Sequence, residues 1–439
     1  MLFTIAAKSL LQRRLAAALI IAAMSLSLMA LLITRSASSE LRASFASSVS
    51  GTDLIAGARA NPLQVLLYSV FRLGTPTQAV SAERWTDVAQ LPQVQWSFPL
   101  VLGDSVKGFA VIGTNDDYFA HFRFGNKHPL TSQQNKPLAF ATPTTAVIGA
   151  TVGRELGLKP GDAIILSHGA HQHSFHQHKE LPFIVSAVLQ PTGTPVDRSV
   201  HVHLAALEAL HNEQWLHRFV HHDHNDDRHD DDGHDDQKHE HNAEETEALV
   251  LQFSDLPPPT AISAVFIGLK SRALTFQAQA AINAANSEPL TAVIPGVALT
   301  EFWQLIGNAE QILKVLSGLM LVTGLLGSVA MLQVSVAFRQ QEIGLLRLIG
   351  AHPLYLFALL QVEILLLTGS SWLIALALSA LVQSIASPLL ASYMGVLLNP
   401  QWWPAGTGWL LLISIGLSIL AGLLPALSAY RESSHPGAA

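Results

Sequence analysis

The chain has 439 residues, 49% of them hydrophobic and only 13% charged, with 25 Lys and Arg against 32 Asp and Glu and no Cys. Soluble globular domains carry about a quarter charged residues, so half that share excludes an ordinary cytosolic enzyme and points to membrane-embedded segments. The absence of cysteine excludes disulfide staples, thiolate nucleophiles, iron–sulfur clusters and Cys-type zinc fingers.

In chain order, the first feature is a run of 20 uncharged residues between Arg14 and Arg35. At about 1.5 Å per residue such a helix crosses a hydrocarbon core of about 30 Å. Basic flanks and the small residues Ser36-Ala37-Ser38-Ser39 also fit a cleaved signal peptide. The stretch from about 36 to 308 reads as one large domain of mixed α and β structure. Short β-branched runs predict strands at Ala146–Ile148, Ala163–Leu166, Phe183–Leu189 and Ala264–Leu269. Three- and four-residue spacing of apolar and Ala positions predicts helices at 205–217 and 271–286. Arg154–Asp162 reads as a helix end, a Pro–Gly turn and the start of a strand.

Sixteen of the 20 histidines fall between 168 and 241, in three settings. His168, His171, His173, His176 and His178 flank a loop. Val200-His-Val-His-Leu204 puts His201 and His203 on one face of a strand, which suits a Zn²⁺ or similar ion and equally an exposed polar edge. The third setting, 217–247, carries 12 acidic residues against three basic ones and includes His221, His222, His224, His229, His234, His239 and His241. It is too polar to pack a core, so it is expected as a disordered insertion. It either captures divalent ions weakly at overlapping sites or serves as an acidic, solubilising linker. Outside it the chain is nearly neutral, which excludes a nucleic-acid binder dependent on a basic face.

The second expected span is the run of 24 uncharged residues between Lys314 and Arg339. From Ile364 to Tyr430 no residue is charged; Asn399-Pro400 and Trp402-Trp403-Pro404 divide that tract into spans near 354–383 and 408–428. Four membrane helices are therefore expected. Lys and Arg near the spans (Lys8, Arg13, Arg14, Arg339, Arg347, Arg431) place both termini and the 337–353 connection in the cytoplasm and the large domain outside. The Trp402-Trp403 pair suits the outer interface or simple turn packing. Glu363 is either an intramembrane carboxylate, by default functional, or a headgroup-level residue at a later helix start. No G-x-x-x-x-G-K-[ST], G-x-S-x-G or H-E-x-x-H motif is present, so any ATP hydrolysis belongs to another polypeptide.

The order of one span, a large outer domain and three further spans, together with Phe338-Arg-Gln-Gln-Glu-Ile-Gly-Leu-Leu-Arg-Leu-Ile-Gly-Ala351 and Ala421-Gly-Leu-Leu-Pro-Ala-Leu427, resembles the MacB/FtsX-like permeases of type VII ABC systems. Ser50–Arg59, Leu66–Arg72 and Thr192–Arg198 narrow the resemblance to one bacterial branch. The resemblance implies three parts. These are an N-terminus and first helix over 1–36, a periplasmic MacB-like α/β domain over 37–308 holding the His/Asp-rich insert, and an FtsX-like permease domain over 309–439. It also implies a bacterial inner-membrane location, a separate ATPase subunit and a homodimer of permeases. The connection at 337–353 would meet the ATPase through Arg339, Glu342 and Arg347, with Gly344 and Gly350 permitting close packing or a helix end. Arg339 and Arg347 could equally anchor the inner leaflet.

Two functions follow from this resemblance. One is a transport subunit that moves its outer domain on a cargo linked to zinc or another divalent metal, or to lipoprotein or peptide export, with a periplasmic metal-binding or outer-membrane partner. The other is an FtsX-like transmission protein that switches a periplasmic hydrolase, with the His-rich loop as metal sensor.

Overall fold

The alternation of β-branched runs with Gly and Pro turns in the first half of the chain, and of long uncharged tracts in the second, is realised as two compact units. In the computed structural model these comprise residues 43–302 with 391–397, and residues 1–42 with 303–390 and 398–439. The structure describes residues 2–168, 178, 181–220, 251–284, 288–338, 353–394 and 402–434.

Among the described residues the first unit has 14 strands: β1 (Leu54–Ala58), β2 (Val80–Ser81), β3 (Val94–Val106), β4 (Phe109–Thr114), β5 (Arg123–Phe124), β6 (His128–Pro129), β7 (Thr145–Ile148), β8 (Ala163–Ile164), β9 (Ser167–His168), β10 (Phe183–Val188), β11 (Ser199–His203), β12 (Ala261–Ile262), β13 (Ala264–Leu269) and β14 (Leu290–Val293). Nine of these follow one another in a mixed sheet in the order β14-β1-β13-β3-β4-β11-β7-β10-β8, and β9 joins on β3. The 13-residue β3 is the hinge of this arrangement. Its first half, through Leu100, pairs with β13, and its second half, from Val101, pairs with β4 across a register shift between Leu102 and Ser105.

Each half of the sheet has its own core. Leu54, Val265, Ile267, Ile282 and Leu290 pack one; Phe109, Ile148, Phe183, Val200, Val202 and Leu207 pack the other. The four strands expected between 146 and 269 form within two residues of their predicted ends.

The helical stretch expected over 205–217 is two helices, Leu204–His211 and Glu213–Val220. Asn212 leaves helical geometry and its side-chain carbonyl accepts from the Trp215 amide at 3.0 Å, starting the second helix. Residues 217–220, expected as the beginning of the disordered insert, are thus helical; 221–250 lie outside the described residues. The 271–286 stretch divides into a 3₁₀ turn, Arg272–Leu274, and the helix Thr275–Asn283.

The helix expected to end near Thr34 begins in the second unit and runs unbroken from Arg14 to Ser48, straight through the small residues of the signal-peptide reading. That sequence has no Pro or Gly to stop it. Pro295–Phe338, Pro353–Met394 and Thr407–Ser434 are the other long helices. Among the described residues three helices are long and apolar enough to cross a membrane; the apolar part of the last, Thr407–Leu423, is shorter.

Met24, Leu28, Leu32, Leu325, Trp372 and Ala375 pack together in this unit, while Leu15, Leu19, Leu316, Leu319, Leu373 and Leu412 point outward. An outward apolar shell suits hydrocarbon. Interhelical polar contacts then supply specificity that apolar burial against lipid cannot. The Trp372 Nε1–H donates to Ser414 Oγ at 2.7 Å, Ser36 Oγ to Gln383 Oε1 at 2.9 Å and Ser25 Oγ to the Ser371 carbonyl at 3.1 Å. Glu363 lies within the helix that starts at Pro353 and is only 2% exposed, so the later helix start considered for it does not occur.

Candidate functional site

The two histidines of β11 do not form a common metal site. β11 lies between β4, parallel to it, and β7, antiparallel, so it is buried on both faces and is no edge strand. His201 is fully buried, with Nδ1 3.1 Å from the Val147 carbonyl and Nε2 3.1 Å from the Tyr118 hydroxyl. A carbonyl can only accept, so Nδ1 carries the proton and Nε2 accepts from the phenol. Burial pushes the His201 imidazole down to about 3, and the nearby Arg72 guanidinium acts in the same direction, against the Val147 hydrogen bond. Both ring nitrogens are committed to a neutral structural role. His203 is the N-cap of the helix Leu204–His211, its Nδ1 accepting from the Ala205 amide at 3.3 Å.

The stretches that narrowed the family resemblance turn out to be scaffold. Thr192–Arg198 closes around Asp197, which is 3% exposed and accepts from the Thr192 and Gly193 amides and the Thr192 hydroxyl, each at 2.8 Å. Leu66–Phe71 belongs to the helix Pro62–Phe71 and Arg72 caps its end, while the Tyr68 hydroxyl of this helix donates to the Ser263 carbonyl at 3.2 Å. Gly57, in Ser50–Arg59, lies under that phenol; a Cβ there would sit 2.0 Å from the Tyr68 oxygen.

Among the described residues, one group of three ligand-type side chains lies close enough for a single ion: Asp104, His178 and His211. The sequence singled out His178 but not its partners. Asp104 sits on β3 beside the register shift and is 4% exposed. His211 ends the helix Leu204–His211, and its Nε2 is 3.3 Å from Asp104 Oδ2. The Asp104 carboxylate, chiefly through this hydrogen bond, holds the His211 imidazole above its usual range, although partial burial opposes the shift. His178 is fixed by its amide, which donates to the Leu166 carbonyl at 3.0 Å, and its ring lies 5.7 Å from that of His211, nearly perpendicular to it. The backbone of His168 pairs with Asp104 through β9.

Arg339, Glu342, Gly344, Arg347 and Gly350 lie outside the described residues, as do His221, His222, His224, His229, His234, His239 and His241.

Residues 15–285 match the MacB-like periplasmic core domain, and residues 314–434 match the FtsX-like permease C-terminal family. The chain therefore belongs to the MacB/FtsX-like permeases, inner-membrane components of ABC systems that carry a periplasmic domain and work with an ABC ATPase. The periplasmic region of MacB from Actinobacillus actinomycetemcomitans is similar over 57% of this chain and 93% of its own, at 8% identity and a TM-score of 0.32. The extracellular domain of the noncanonic ABC-type transporter YknZ from Gram-positive bacteria is similar over 55% of this chain and 99% of its own, at 10% identity and a TM-score of 0.28. No curated protein matches the sequence.

Proposed function

We propose that this chain is the permease subunit of an ABC system in which a separate ATPase docks on the 337–353 connection and drives movement of the sheet domain, and that the movement serves handling of zinc or a related divalent metal. The observation that carries this reading is the union, in one polypeptide, of the periplasmic core domain at 15–285 and the permease region at 314–434, with no phosphate-binding loop of its own. Unbroken helices support a mechanical role: Arg14–Ser48 runs 14 residues beyond the C-terminal end of its uncharged tract, and Pro295–Phe338 begins 20 residues before the N-terminal end of its own. In this reading Thr407–Ser434 is a fourth span, both termini are cytoplasmic and two permeases pair in the working complex.

The metal part of the reading rests on the concentration of histidine between 168 and 241. Imidazole is the nitrogen ligand that borderline divalent ions favour.

Glu342→Lys reverses a charge on the connection assigned to the ATPase. In the reconstituted complex this variant is expected to lower permease-stimulated ATP hydrolysis at least about tenfold, the equivalent of roughly 1.4 kcal/mol of coupling. Stimulated turnover equal to that of the unaltered complex would remove Glu342 from the interface.

A further inference from the structure

We infer that Asp104, His178 and His211 form a three-ligand site for an exchangeable Zn²⁺-class ion on the sheet domain, distinct from the His/Asp-rich run at 221–247. The inference deepens the metal-handling reading and rests on it for the site's role, while binding itself is independent of the ATPase.

The geometry starts from the distances. A tetrahedral shell with bonds of about 2.0–2.2 Å separates its ligand atoms by about 3.3 Å. The His211–Asp104 separation is already 3.3 Å, and all three donor atoms lie within 4.8 Å of one another. Side-chain movement of about an ångström closes the shell, within ordinary rotamer freedom for an exposed His. Two imidazoles and one carboxylate form a borderline donor set that selects Zn²⁺, Co²⁺ or Ni²⁺ over Mg²⁺ and Ca²⁺, which prefer six or more oxygens.

The surroundings make the site exchangeable rather than structural. Structural zinc sites fill all four positions from the protein; the three ligands found among the described residues leave one for water or an incoming donor. The Asp104 side chain is 1% exposed and that of His211 is 38% exposed, so the site has a buried anchor and an open side. Each ligand also comes from a different segment: β3, the residue tied to Leu166, and the end of a helix. An ion therefore links three parts of the domain, which a simple Asp104–His211 ion pair would not. The segments immediately before His178 and shortly after His211 carry many of the remaining histidines, His171, His173, His176, His217, His221 and His222 among them. Weak donors tethered so near in sequence raise the local ion concentration at the site.

The test uses the full chain in lipid nanodiscs, in its natural form and with 221–247 replaced by a short Gly–Ser linker, titrated with Zn²⁺ by calorimetry and with Co²⁺ by visible absorption. The linker form is expected to bind one Zn²⁺ per chain at micromolar concentration or tighter and to give the intense visible bands of tetrahedral Co²⁺. His211→Ala is expected to weaken binding more than the roughly 10–100-fold that loss of an outer-shell partner costs, and to abolish those bands. Asp104→Asn should do the same. Because Asp104 is buried, His211→Ala, altered at an exposed helix end, decides the matter if the Asn variant does not fold. No Zn²⁺ binding by the linker form, or binding undiminished in His211→Ala, would overturn the assignment. ATPase stimulation measured on the same samples separates the two readings. Lost zinc with intact stimulation removes this site alone, and retained zinc with no stimulation removes the coupled-permease role alone.

Discussion

Gly149→Ala is expected to destabilise the sheet domain by roughly 3 kcal/mol or more, at the upper end of what overpacking costs. Gly149 caps the helix Ala150–Leu156 in an ordinary extended conformation, φ −69° and ψ 158°, so alanine meets no backbone strain there. The cost comes from contact alone. A Cβ would lie 2.3 Å from the Val196 carbonyl oxygen and 2.4 Å from that of Asp197, both backbone atoms that cannot swing aside. Those carbonyls belong to the turn folded around the buried Asp197 carboxylate, and the Gly149 amide donates to the Ser199 carbonyl at 2.9 Å, so displacing one element disturbs the start of β11. Gly157 is the control. It sits in the left-handed region at φ 68° with open space around it, so Gly157→Ala should cost only about 1 kcal/mol of conformational strain. Thermal unfolding of the solubilised chain checks both: a drop for Gly149→Ala no larger than that for Gly157→Ala would show that the turn gives way freely.

Acidification is expected to weaken the same domain through His201. Its imidazole is neutral in the folded state, pushed down to about 3, while in the unfolded chain it takes a proton near 6.5. Between those values the unfolded state binds more protons, so the neutral ring's contribution is fully present above about pH 6.5 and is lost progressively as pH falls toward 3. From pH 7.5 to pH 5 the loss is about 2 kcal/mol, at roughly 1.4 kcal/mol per pH unit below 6.5. His203, whose pKa burial also lowers, adds in the same direction; His211, raised by Asp104, opposes it. The difference between the unaltered chain and His201→Gln isolates the one ring. Urea midpoints should converge between the two proteins as pH falls from 7.5 to 5. Parallel pH profiles would mean that His201 gains its proton without unfolding.

The legible parts of this molecule are those written in local pattern. Ala264–Leu269 is a continuous apolar run and Phe183–Val188 a largely apolar one interrupted by Ser186, and both form interior strands at almost their expected ends. The long uncharged tracts likewise announce their helices. What the sequence concealed depends on neighbours far along the chain. Alternation at 200–204 suggested a polar face for His201 and His203, but β4 and β7 cover β11 on both edges and the sheet's two faces are filled, so one imidazole became a core hydrogen-bonding group and the other a helix cap. Asp104, His178 and His211 carry no common spacing; they come from β3, from the residue whose amide bonds the Leu166 carbonyl and from the end of the helix Leu204–His211. The single-helix pattern over 205–217 hid that break because Asn is a poor helix former but an excellent cap.

In the proposed arrangement one chain places its sheet domain on the outer side of the membrane and its 337–353 connection on the ATPase side. The chain has no cysteine, so single introduced thiols report their side without background. Labelling of intact spheroplasts with a membrane-impermeant maleimide, before and after permeabilisation, measures this directly. His128→Cys, in the exposed strand β6, should label at once, whereas Gln341→Cys and Ser433→Cys should label only after permeabilisation. Labelling of Gln341→Cys in intact spheroplasts, or protection of His128→Cys, would contradict the account.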